Sequence, residues 1–200
     1  MTIIGITGGT GAGKTTALRA LLSLDACIID ADAVYHDLTT QSLELRRELE
    51  ARFGSVYHDE GLDRKKLGNL VFNDEQALLD LNAITHRLIG LEIDRMLQEA
   101  KDEGRRVAAV DAIGLLESGL AERCDCTVAI IAPPELRIRR IMQREGISEE
   151  YARLRVLAQK EEAYFRAHCD YVLENWEEDT VEQFAGRALA LFQEILKDKE

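Results

Sequence analysis

Gly8-Gly9-Thr10-Gly11-Ala12-Gly13-Lys14-Thr15 fits the pattern G-x-x-x-x-G-K-[ST], and it constrains everything around it. Glycines at these places take backbone angles closed to other residues and bring amide N–H groups close to an anion. Such a loop needs a strand before it and a helix after it. Thr2-Ile3-Ile4-Gly5-Ile6-Thr7 is a short apolar run rich in β-branched residues, and Thr16-Ala17-Leu18-Arg19-Ala20-Leu21-Leu22 carries helical spacing. A helix starting there adds its positive end to the cradle. Gly9, Thr10, Gly11, Ala12, Gly13, Lys14, Thr15 and Thr16 are therefore expected to hold a nucleoside triphosphate. Lys14 would reach the β- and γ-phosphates, and the Thr15 hydroxyl would bind Mg²⁺. A plain Gly-rich turn would not need the flanking strand and helix. A dinucleotide fingerprint fails because Lys14 stands where G-x-G-x-x-G needs its last Gly.

The 200 residues are 46% hydrophobic, enough for one buried core. The net charge of −12 argues against a nucleic-acid or membrane-surface binder. Any anionic substrate must then be held by a local basic pocket. Cys27, Cys124, Cys126 and Cys169 suit reduced thiols in a cytoplasmic protein. Cys124 and Cys126 form C-x-C rather than C-x-x-C and read as small buried hydrophobes, not as a metal site.

Along the chain, Ala26-Cys27-Ile28-Ile29 reads as a second strand ending on Asp30-Ala31-Asp32. Ligands gather at the carboxyl ends of strands in such sheets, so these carboxylates are candidates for chemistry on a bound phosphate. If the strand continues, they share a face. The competing reading is a helix N-cap and a solvated turn acid. Leu43 to Phe53 reads as helix, Ser55 to Gly61 as loop, and Asp63 caps another helix. A long helical stretch follows from Glu75 to about Glu103. The span between the second and third strands is too long for a simple crossover and reads as a helical substrate-binding insert, about 56–103. Val107-Ala108-Ala109-Val110-Asp111 is a third strand, Cys126 to Ala132 a fourth and Tyr171 to Asn175 a fifth. Asp111 would either orient a Mg²⁺-bound water or act as a turn acid. Thr180 to Lys197 is a terminal amphipathic helix. Strands alternating with helices give an α/β P-loop fold, with a core of about 1–55, 104–135 and 168–200.

Leu136 to Lys160 is dense in arginine, interrupted at Gly146-Ile147-Ser148. It reads as a helix–loop–helix lid, about 136–167, that brings arginines onto a transferred phosphate. Arg140 and Arg144 share a helical face and are the functional candidates. Arg137, Arg139, Arg153 and Arg155 read as a solvated face paired with glutamates.

These pieces, in this order, resemble the dephospho-coenzyme A kinases. The match runs through Ile4 to Thr16, Ile29-Asp30-Ala31-Asp32, Gly61-Leu62-Asp63-Arg64-Lys65-Lys66-Leu67 and Leu81-Asn82-Ala83-Ile84-Thr85-His86. It continues in Leu115-Leu116-Glu117, Arg140-Ile141-Met142-Gln143-Arg144, Gln159 and Asp170 to Asn175. The resemblance implies a five-stranded parallel core with insert and lid. It implies transfer of the ATP γ-phosphate to the ribose 3′-hydroxyl of dephospho-coenzyme A with Mg²⁺, by a monomer or weak homo-oligomer. Asp32 matches the acid expected to act on that hydroxyl, while Arg64 and His86 match substrate-side positions. Arg140 matches a lid arginine near the phosphates, as Arg144 does, and Asn175 falls at the adenine end of the nucleotide site. The chain departs from the family pattern at Arg87, where Pro is usual, at Ile113-Gly114, and at Trp176, where Gly is usual. Other kinases of small metabolites share the fold class. A nucleotide switch is disfavoured, since no N-K-x-D base-reading motif is present.

Overall fold

In a computed structural model of the chain, which describes residues 1–59 and 61–199, the N-terminal apolar run is β1 (Thr2–Thr7). It lies in the middle of a five-stranded parallel sheet. The chain divides into two compact units, Met1–Ile29 with Glu99–Glu200, and Asp30–Gln98.

The first unit carries the sheet. Its strand order is β2-β5-β1-β6-β7, with β2 at Cys27–Asp30, β5 at Val107–Asp111, β6 at Cys126–Ile131 and β7 at Tyr171–Glu174. β1 pairs with β5 on one side, Ile6 level with Asp111, and with β6 on the other, Thr7 level with Ala129. β6 is buried at every residue, and its one polar side chain, Thr127, donates to Asp170. Helix α1 (Lys14–Leu22) follows the glycine loop, and α9 (Val181–Asp198) closes the unit. Ala17 and Leu21 of α1 and Phe184, Phe192 and Ile195 of α9 share a core with Ile4, Ile6, Val128 and Ile130. Between β6 and β7 lie α6 (Pro134–Glu145), α7 (Glu149–Leu157) and α8 (Glu162–His168). α6 and α7 hold each other through Ile138, Ile141, Ala152 and Val156, and Ser148 caps α7 by accepting from the Tyr151 N–H. α8 is not anticipated by the sequence reading; its Phe165 packs on Ala129 and Ile131.

The second unit begins at Asp30. Asp30 does not carry the strand onward; its carboxylate accepts from the N–H groups of Asp32 and Ala33 and caps α2 (Ala31–Gln41). The N-cap reading of this pair therefore holds for Asp30, and Asp32 sits in the first turn of a helix that the strand pattern had concealed. α3 (Leu43–Phe53) follows at the expected place. The stretch from Ser55 to Gly61, read as loop, contains β3 (Tyr57–His58) and the first residue of β4 (Gly61–Leu62), which form a small antiparallel pair. Glu60 lies outside the described residues. α4 (Arg64–Phe72), capped by Asp63, and α5 (Glu75–Asp102) complete the order. Leu45, Leu49, Val56, Tyr57, Leu67 and Leu88 form this unit's own core.

Among the described residues no helix is long and apolar enough to cross a membrane, and no cluster of His, Cys, Asp or Glu could hold a metal ion by itself. Burial pushes the Cys124 thiol up to about 12 and the Cys126 thiol up to about 11, which leaves both as inert thiols inside the fold.

Candidate functional site

The glycine loop is a cradle that only glycine can build. Gly8, Gly11 and Gly13 have φ of 132°, 81° and 110°, in the left-handed range. A Cβ at Gly8 would lie 2.1 Å from the Ile130 carbonyl oxygen, and one at Gly13 would lie 2.3 Å from Asn175 Nδ2. The chain turns from β1 into α1 within this loop, so the first two amides of α1, those of Lys14 and Thr15, have no turn before them to bond to, while the Thr16 N–H donates back to the Gly13 carbonyl. Those free N–H groups and the helix's positive end suit a phosphate.

Lys14 and Asp111 come together at the end of the sheet, with Lys14 Nζ donating to Asp111 Oδ1 at 2.8 Å. Both side chains are about five-sixths buried, being 16% and 14% exposed. Asp111 thus serves the lysine directly. Thr15 is exposed on the first turn of α1. One hydroxyl, with no carboxylate cluster around it among the described residues, fits a hard cation whose other ligands are phosphate oxygens and water.

Arg140 and Asn175 meet over the loop. Arg140 Nη1 donates to the Gly11 carbonyl at 3.3 Å and Nη2 to Asn175 Oδ1 at 3.1 Å. Asn175 is buried, and its Nδ2 donates to the Ala12 carbonyl at 2.8 Å. β7 delivers Asn175 to this place, and its N–H donates to the Ile131 carbonyl of the neighbouring strand. Beside them opens a groove of about 180 Å³, lined by Gly13, Thr16, Arg140, Asn175, Asp179, Thr180, Val181 and Phe184. Its rim is stiffened by Asp179, which accepts both the Trp176 N–H and the Arg187 guanidinium. Those bonds, Arg187 foremost, hold the Asp179 carboxyl below the usual range.

Two arginines sit in surroundings the sequence does not show. Arg144 is not gathered with Arg140; it is 57% exposed and pairs with its neighbour Glu145 at 2.5 Å. Arg137, read as part of a solvated face, is instead 7% exposed. It donates from Nε to the Thr10 carbonyl at 3.0 Å and from Nη2 to Gln159 Oε1. Gln159 in turn accepts from the Thr10 N–H. The remaining arginines do form the expected pairs, Arg139 with Glu177, Arg153 with Glu135 and Glu149, and Arg155 with Glu145. Gln159 stands in the sequence as a matched residue without a role; no spacing rule reaches from it to Thr10.

In the second unit, Asp32 is exposed on α2, and His36 lies one turn further along the same helix. Arg64, the first residue of α4, reaches His36 Nδ1 from Nη2 at 3.2 Å. This fixes Nδ1 as the acceptor, so the neutral ring carries its proton on Nε2. Arg64 and Asp32 thus flank one helix face. His86 is half-buried in α5, and burial depresses its pKa below the ordinary value. Arg87, which replaces the family's usual Pro, pairs with Glu44 and Glu48 of α3. Gly114 has open space where a side chain would stand, its nearest neighbour being Glu117 at 4.0 Å.

A family model described as dephospho-CoA kinase matches residues 2–180. A dephospho-CoA kinase of Corynebacterium diphtheriae is 38% identical over 177 residues, covering 88% of either chain. Among solved structures, TT1252 from Thermus thermophilus aligns with a TM-score of 0.78 at 32% identity, over 96% of this chain and 97% of that one. The dephospho-CoA kinase from Campylobacter jejuni aligns with a TM-score of 0.68 at 28% identity, over 99% and 98%.

Proposed function

The chain belongs to the dephospho-CoA kinase family, and from that premise we propose that it transfers the γ-phosphate of ATP to the ribose 3′-hydroxyl of dephospho-coenzyme A. The products are coenzyme A and ADP. The match over residues 2–180 carries this reading, and the glycine cradle with Lys14 at its end is the chemistry it calls for.

Phosphoryl transfer asks the protein for in-line positioning and charge neutralisation. The loop from Gly9 to Thr16 wraps the triphosphate and holds it through the amides at the start of α1. Lys14 follows the β- and γ-phosphates, and Asp111 keeps its ammonium group in place until they arrive. Asn175 and Arg140 form the wall of the groove that takes the adenine. Arg140 also lies close enough to the loop to neutralise the moving phosphoryl group, assisted by Arg144 if the α6–α7 pair closes as a lid. The Thr15 hydroxyl would help hold Mg²⁺, which would supply positive charge against the charge that develops in the transfer. Asp32 orients the acceptor hydroxyl and takes its proton. A carboxylate is a weak base for an alcohol, so it accepts the proton late, and much of its value is orientation. Arg64, His36 and His86 belong to the acceptor side. We assign acceptor binding to the unit Asp30–Gln98.

The test is a panel of acceptors with ATP and Mg²⁺, read as ADP release. Turnover with dephospho-coenzyme A alone is the expected result. Equal turnover with nucleosides or sugar acids, or ATP hydrolysis without any acceptor, would refute the assignment.

A further inference from the structure

Thr10 spends every polar group it has on the base of one helical hairpin. Its N–H donates to Gln159 Oε1 at 2.9 Å, and its hydroxyl accepts from Gln159 Nε2 at 2.9 Å. Its carbonyl accepts from Arg137 Nε at 3.0 Å. Arg137 Nη2 closes the ring by donating to Gln159 Oε1. The two gripping residues are the two roots of the α6–α7 hairpin. Arg137 lies in the first turn of α6, and Gln159 directly follows the C-cap of α7.

This arrangement is costly to build. A guanidinium must leave water, and that is repaid only when its donors find partners. Here the partners are in the phosphate loop and in the side chain that also holds that loop. The guanidinium packs so closely on the loop that a Cβ at Gly9 would fall 2.1 Å from Nη2. Gly9 is therefore matched to Arg137, although its own φ needs no glycine.

We propose that Arg137 and Gln159 are positioning residues for the transfer, latching the outer turn of the phosphate loop through Thr10 and tying its shape to the α6–α7 hairpin. The proposal rests on the reading of this loop as the ATP cradle. With the latch intact the amides beyond Thr10 are already aimed when the nucleotide arrives, so ATP binding does not have to order the loop. With the latch broken that ordering falls on the nucleotide, and affinity for ATP drops while the acceptor's affinity does not.

The experiment compares wild type with Gln159→Ala, Gln159→Glu and Val156→Ala. It measures ATP dissociation by calorimetry, KM for each substrate, kcat and the melting temperature. Gln159→Ala should weaken ATP about tenfold, the scale of one or two lost hydrogen bonds. Its kcat should stay within about threefold, and KM for dephospho-coenzyme A should not move. Gln159→Glu keeps an acceptor for the Thr10 N–H and for Arg137, and the Thr10 hydroxyl can turn to donate, so ATP affinity should recover. Val156→Ala loosens the same hairpin through its core without touching the loop. It should lower the melting temperature and leave ATP affinity unchanged. Unchanged ATP affinity in Gln159→Ala, or an equal loss in Val156→Ala, would overturn the latch. A wild type that binds ATP but ignores dephospho-coenzyme A would refute the acceptor assignment alone, and the binding comparison would still decide the latch.

Discussion

Asp32 and Gly13 carry the two most direct single-residue tests, one chemical and one steric. Asp32→Asn keeps the helix and removes the proposed proton acceptor, so kcat should fall about a hundredfold or more while ATP binding persists. Calorimetric titration with ATP beside a rate assay checks both halves; near-normal turnover would take Asp32 out of its role. Gly13→Ala forces an L side chain to φ of 110° and into Asn175 Nδ2 at 2.3 Å. It should cost about 2 kcal/mol in denaturant unfolding and displace Asn175 from the Ala12 carbonyl, weakening ATP as well. Residues such as Lys14 and Thr15 are legible in the sequence because a short motif fixes both their identity and their place. Arg137 is not, because its partner Thr10 is 127 positions away and spacing on α6 does not say which face turns inward. The pairing of Arg144 is hidden for a related reason. It shares a helical face with Arg140, but that places it a full turn nearer the hairpin's tip, where Glu145 is its partner.

Capping decides the elements as much as hydrophobic pattern does. Asp30 ends β2 and starts α2 in one residue, so a carboxylate pair that alternates like a strand belongs to a helix. The short β3–β4 pair escapes the sequence because two-residue strands are too brief to show a period, whereas β6 announces itself by six consecutive buried residues. The cap of α9 is the clearest test at this scale. Thr180 accepts from the Gln183 N–H, and the Gln183 side chain accepts from the Thr180 N–H, a complete capping box. α9 brings Phe184, Phe192 and Ile195 to the core, so Thr180→Ala should cost about 1 kcal/mol and lower the melting temperature by about 2–4 °C. An unchanged melting curve would show that the box contributes nothing to folding.

Across the whole molecule the net charge of −12 and the pattern of shifted carboxyls set the response to acid. Asp63 is held below its ordinary value by the Lys66 N–H, Asp80 by Arg52, Glu135 by Arg153, and Glu145 by Arg144 and Arg155. A carboxyl whose folded value is depressed stabilises the fold fully above its unfolded value, 3.8 for Asp and 4.5 for Glu, and loses that contribution as pH falls through the folded value. Glu135 and Glu145 are exposed and Asp63 and Asp80 partly so, so each contributes little and salt screens it. Stability measured by urea unfolding should fall steadily below about pH 4.5, and less steeply in high salt. His86 adds a separate slope. Its folded value lies below 6.5, so its share of stability is complete above 6.5 and declines as pH falls through the folded value. His86→Gln should flatten that part of the curve; an unaltered slope would place the titration elsewhere. Finally, the first unit is made of both ends of the chain, while Asp30–Gln98 is one uninterrupted segment. During synthesis, β1 and the glycine loop leave the ribosome before either neighbouring strand exists. The segment Asp30–Gln98 can gather its own core first, and the nucleotide cradle waits for β6 and β7. A nascent chain released early would therefore hold a folded middle and an unformed cradle, and would bind no ATP.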